Sequence, residues 1–93
     1  MDRAVRIIIH GRVQGVGFRY HARLKGRELK LRGYVRNLPD GSVEVVVRGP
    51  QIRIDAFLVF CRRGSPVARV ERVEVRELRP GEADGLQGFE IRH

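Results

Sequence analysis

The sequence predicts an α/β (α+β) sandwich, a mixed but antiparallel-dominated sheet with two helices on one face. Three observations carry this expectation. Apolar, β-branched runs at 4–10, 34–38, 42–48 and 67–78 read as strands. Two segments with helical spacing of apolar residues, 20–31 and 50–63, fall between them in the order βαββαβ. A short apolar run at 89–91 adds an extra C-terminal strand. Right-handed crossovers in that order put both helices on one side of the sheet, a ferredoxin-like arrangement.

The elements follow from the residues. Val5, Ile7 and Ile9 alternate with Arg6, Ile8 and His10, so one face of the first strand is apolar. In the first helix Phe18, Ala22 and Leu29 share a face, and Tyr20, Leu24 and Leu31 an adjoining one. Gly26 inside it costs about 1 kcal/mol relative to alanine, which close packing on the sheet would explain. Gly33 restarts the chain into Tyr34–Leu38, and Pro39-Asp40-Gly41 is a hairpin turn. Val43, Val45 and Val47 face inward from the next strand. Gly49-Pro50 opens the second helix, with proline in its first turn, and Gly64 caps its end. Ile54, Phe57, Leu58 and Cys61 form a buried stripe at helical spacing, so Cys61 reads as a core residue. From 67 to 78 valine, arginine and glutamate alternate as in an exposed or edge strand. Arginines 62, 63, 69, 72, 76 and 79 read as a solvated face paired with Glu71, Glu74 and Glu77.

Composition narrows the function classes. Residues 1–93 form one domain with one modest core. No apolar run approaches the roughly 20 residues of a membrane span. The N-terminus lacks the apolar stretch of a secretory signal, so the cytoplasm is the expected compartment. Cys61 is the only cysteine, and His10, His21 and His93 lack metal-ligand spacing, so neither a metal nor another cofactor is expected. The net charge of +8, with 17 of the 19 basic residues arginine, points to a negatively charged partner of any size.

Residues 11–19, Gly-Arg-Val-Gln-Gly-Val-Gly-Phe-Arg, lie between the first strand and the first helix. A glycine-rich loop lets successive N–H groups converge on an anion, and the helix start adds unpaired N–H groups and a positive dipole end. Arg19 adds a planar, permanently charged fork. The pattern reads as a cradle for a terminal phosphate group. The first two strands run parallel within the sheet, so Asn37 leaves the second strand at the edge where this loop leaves the first.

The loop holds no Ser, Cys or Asp nucleophile and no base triad. An acyl phosphate suits such a site, because its leaving group is a carboxylate whose acid has a pKa near about 4. It departs without a general acid or a metal. The site has only to hold the phosphoryl group, spread its charge and orient one water.

The nine-residue block at 11–19, with Gly33-Tyr34-Val35-Arg36-Asn37 and Asp40-Gly41-Ser42-Val43-Glu44, closely resembles the acylphosphatase family. The resemblance implies the ferredoxin-like sandwich and metal-independent hydrolysis of acyl phosphates to a carboxylate and inorganic phosphate. It carries phosphate binding and catalysis onto Arg19, and positioning of the attacking water onto Asn37. The amide cradle falls on the backbone of Gln14, Gly15, Val16, Gly17 and Phe18. Two positions depart from the family pattern. Tyr34 stands where tryptophan is frequent, and Lys30 stands where glycine is common and a left-handed helix cap disfavours a side chain.

The expected partner is a small acyl phosphate, with no membrane or nucleic acid, acting on a monomer. The alternatives are a basic ferredoxin-like RNA-binding module and a non-catalytic phosphate-binding module. Arg32-Gly33-Tyr34 begins like the aromatic RNA-binding motif, but Val35-Arg36-Asn37 does not continue it. Arg12, His10 and His21 read as solvated or supporting residues near the loop.

Overall fold

The computed structural model describes residues 2–79 and 81–93. Strands β1 (Asp2–Arg12), β2 (Arg32–Asn37), β3 (Val43–Pro50), β4 (Arg69–Glu77) and β5 (Phe89–Arg92) form one sheet in the order β4-β1-β3-β2-β5. Helices α1 (Phe18–Glu28) and α2 (Gln51–Arg63) cover one face. All pairings are antiparallel except that of β5, which runs parallel to β2 at one edge. The predicted class and element order hold, and the alternating β4 forms the opposite edge.

The alternation in β1 sorts its side chains as expected. Val5, Ile7 and Ile9 lie opposite Val47, Val45 and Val43 and are fully buried beneath the helices. Ile54, Phe57, Leu58 and Cys61 close the core from α2, and burial pushes the Cys61 thiol well above its ordinary pKa. Gly26 is buried where α1 meets β5, and a β-carbon there would come within 2.4 Å of the Phe89 ring. The close packing expected of that glycine is therefore helix against aromatic ring.

Several boundaries differ from the sequence reading. Strand β1 continues to Arg12, because a bulge at His10/Gly11 bends its end against β4. A β-carbon on Gly11 would lie 2.1 Å from the Arg69 carbonyl oxygen, so no side chain fits. Helix α1 begins at Phe18, two residues early, which places Arg19 in its first turn. Pro50 ends β3 and serves as the N-cap of α2 instead of entering its first turn. Lys30 takes the left-handed conformation, φ 55°, that its side chain disfavours. Lys30 N–H donates to the Arg27 carbonyl and Leu31 N–H to that of Gly26, a complete Schellman closure of α1.

The open face of the sheet is charged, with different pairings from those expected. Glu44 is only 3% exposed and accepts 2.5 Å hydrogen bonds from the Nε atoms of both Arg6 and Arg36. Glu74 bonds chiefly to His10 at 2.7 Å, and Glu77 to Arg3 at 2.6 Å, so β4 pairs mostly with β1 and not with its own arginines.

Candidate active site

The site is built where β1 leaves the sheet. Val13 is buried and anchors the chain before it turns. Gly15 and Gly17 both take positive φ, 72° and 77°, and Gly17 occupies the N-cap of α1. A glycine cap brings no side chain to the free N–H groups of the first turn, and that turn contains no acidic residue. The helix start therefore keeps its donors and its positive dipole end available to an external anion.

Two side chains, through three part-buried hydrogen bonds, hold the loop in place. The Ser65 hydroxyl donates to the Val16 carbonyl at 2.9 Å. The Gln14 side-chain amide donates to the carbonyls of Leu38 and Ser42, at 2.8 and 2.9 Å. Those carbonyls flank the β2–β3 turn, which Asp40 tightens by accepting hydrogen bonds from the backbone N–H and hydroxyl of Ser42. The bonds from Ser42 hold the Asp40 carboxyl below its ordinary pKa. Gln14 entered the sequence reading for its backbone alone. Its side-chain role needed the fold, because Leu38 and Ser42 lie more than twenty residues away.

Arg19 is half-buried in a cleft of about 340 Å³ that it shares with Gly15, Gly17, Arg23, Ile91 and His93. Its Nη1 lies 3.4 Å from the His93 ring nitrogen Nδ1. Val13, Phe18 and Tyr20 complete the lining, to which no Asp or Glu side chain contributes. Ile91 lies in β5 and His93 follows Arg92, its last residue, and no local pattern placed that strand beside β2.

Asn37 ends β2 opposite Val43, which also faces Ile9. It therefore stands at the loop's end of the sheet and shares the helix-covered face with Ile9 and Val43. Its Oδ1 is buried with no hydrogen-bond partner among the described residues. Gly15, Gly17, Phe18 and Arg19 thus line one cleft, while Asn37 lies outside that lining and is linked to the loop through the Gln14 contacts. Among the described residues, no three His, Cys, Asp or Glu side chains cluster to hold a metal ion. None of the described helices is long and apolar enough to cross a membrane.

Comparison with known proteins gives a consistent result. The family model described as Acylphosphatase matches residues 5–91. An acylphosphatase of Thermus thermophilus is 50% identical over 91 residues, spanning 98% of this chain and 99% of its own. One of Thermococcus kodakarensis is 48% identical over 83 residues, 89% of this chain and 88% of its own. The crystal structure of acylphosphatase from Bacillus subtilis matches with a TM-score of 0.91 and 39% identity, over 100% of both chains.

Proposed function

The chain belongs to the acylphosphatase family, and from that premise we propose that it hydrolyses acyl phosphates by phosphate capture at the start of α1 and attack of a water oriented by Asn37. The observation that carries the reading is Arg19, half-buried in a cleft without Asp or Glu side chains, beside a helix start with no side-chain cap. The backbone N–H groups of Gln14 to Phe18 and the Arg19 guanidinium receive the phosphoryl oxygens. They spread the charge that builds on those oxygens in the transition state.

The Asn37 side-chain amide orients the attacking water by hydrogen bonding. The water oxygen bonds to phosphorus as the bond from phosphorus to the acyl oxygen breaks. The electron pair leaves with the carboxylate, and the proton of the water passes to solvent, leaving inorganic phosphate. Because a carboxylate is a weak base, the step requires neither a general acid nor a metal ion. All these groups come from one chain. We further propose that residues 1–93 act as a single-domain, cytoplasmic monomer whose partner is the small substrate, with no nucleic acid.

The test is phosphate release from benzoyl phosphate in excess chelator, with a simple phosphate monoester alongside. Rapid release from the acyl phosphate alone is the expected result. In Asn37→Ala, kcat falls more than the affinity for inorganic phosphate. A loss confined to phosphate affinity contradicts the water-orienting role. Binding of phosphate with no turnover by the folded parent overturns the hydrolytic reading.

A further inference from the structure

We propose that Arg23 forms a second anion subsite beside the phosphate cradle, and that it selects acyl phosphates whose acyl group itself carries a carboxylate or phosphate. This rests on the acyl phosphate reading above. Of the 17 arginines, five are half-buried: Arg3, Arg6, Arg19, Arg23 and Arg48. Arg3, Arg6 and Arg48 each meet a carboxylate, on Asp55 and Glu77, on Glu44, and on Asp84 respectively. Arg19 and Arg23 have no such partner among the described residues, and both line the same cleft. A cation withdrawn from water without a counter-charge costs stability, so the pair is suited to anions that arrive from outside.

The two positions are not equivalent. Arg19 lies in the first turn of α1, where the free N–H groups point. Arg23 lies one turn further on, ~6 Å along the axis. Its Nε is buried and unpartnered, and its guanidinium carbon lies 5.6 Å from the centre of the Tyr20 ring, which supports the fork. A phosphoryl group gripped by the loop amides and Arg19 leaves Arg23 for the distal end of the substrate. Ile91 offers an apolar wall for the carbons between. The cleft volume of about 340 Å³ falls within the ~300–1,000 Å³ typical of small-molecule sites.

The test compares three aromatic acyl phosphates of similar size: 4-methylbenzoyl, 4-carboxybenzoyl and 4-phosphonobenzoyl phosphate. The parent protein prefers at least one acidic substrate over the methyl compound by about tenfold or more in kcat/KM, the effect of one charge-assisted contact. Arg23→Gln brings that ratio near one, mainly by raising KM for the acidic substrate. Arg23→Lys retains part of it, since the charge remains and the fork is lost. The larger of the two acidic preferences identifies the natural second anion as carboxylate or phosphate. A parent ratio near one for both acidic substrates overturns the subsite and leaves acyl phosphate hydrolysis standing. Equal losses on all three substrates in Arg23→Gln, with weaker inhibition by inorganic phosphate, overturn it too, by placing Arg23 in the phosphoryl site. Absence of turnover on all three substrates overturns it together with the reading on which it rests.

Discussion

The Gln14 side-chain amide donates to the Leu38 carbonyl at 2.8 Å, joining the loop before α1 to the turn that follows Asn37. Its second bond, to the Ser42 carbonyl at 2.9 Å, crosses to the other side of the same turn. The proposed phosphate-holding and water-orienting groups sit on different elements, and this side chain connects them. Gln14→Ala keeps the backbone N–H of the cradle and removes both bonds. Their combined worth of ~2 kcal/mol corresponds to roughly 30-fold in kcat/KM when fully expressed in the transition state. Steady-state kinetics with benzoyl phosphate check this, and a parental kcat/KM shows the link to be structurally incidental.

Lys30 is the one described residue other than glycine with positive φ. Both Schellman bonds form around it, so the motif tolerates the side chain at an energetic cost. Lys30→Gly removes the left-handed penalty of ~1–2 kcal/mol and returns part of it through a more flexible unfolded chain. The expected net gain is about 0.5–1 kcal/mol, seen as a higher denaturant midpoint with an unchanged m-value. A lower midpoint would mean that the lysine makes a compensating contribution.

Burial by itself would raise the pKa of the Glu44 carboxyl, but the hydrogen bonds and charges of Arg36 and Arg6 outweigh it and hold it below the ordinary value of 4.5. A lowered carboxyl pKa stabilises the folded state above the unfolded value and loses that contribution as pH falls through the folded value. Stability therefore declines as the pH is lowered below 4.5. Asp40, held down by Ser42, and Glu74, held down by His10, act in the same direction. Glu44→Gln costs about 2 kcal/mol near neutrality and flattens this acid limb. Denaturation midpoints between neutrality and pH 3 or below measure both effects. An unchanged slope would assign the acid limb to the other carboxylates.

Much of the fold was legible because burial and period agree. Val5, Ile7 and Ile9 alternate, and Ile54, Phe57, Leu58 and Cys61 repeat at helical spacing, so each set declares one buried face. The loop was legible in Gly15, Gly17 and Arg19, whose residue types suit tight backbone and anion contact. What stayed hidden depended on distant partners. Gly26 stood out as a weak helix former, but Phe89, the ring it accommodates, lies more than sixty residues away. The burial of Glu44 depends on arginines from two neighbouring strands, which no local pattern displays. Arg19 appeared at the end of a loop, since a glycine cap leaves no side-chain signal for the helix start. Arg23 drew no role from the sequence, because the cleft it lines joins α1 to residues at the end of the chain.

Arg19 is proposed to receive and stabilise the phosphoryl group. The most direct test of that role is the rate of phosphate release from benzoyl phosphate in excess chelator, for the parent and for Arg19→Ala of matched stability. Loss of one preorganised donor to the transition state lowers kcat by about a hundredfold or more. We expect that loss, together with weakened inhibition by inorganic phosphate. Near-parental turnover by Arg19→Ala would contradict it and move the chemistry away from the start of α1.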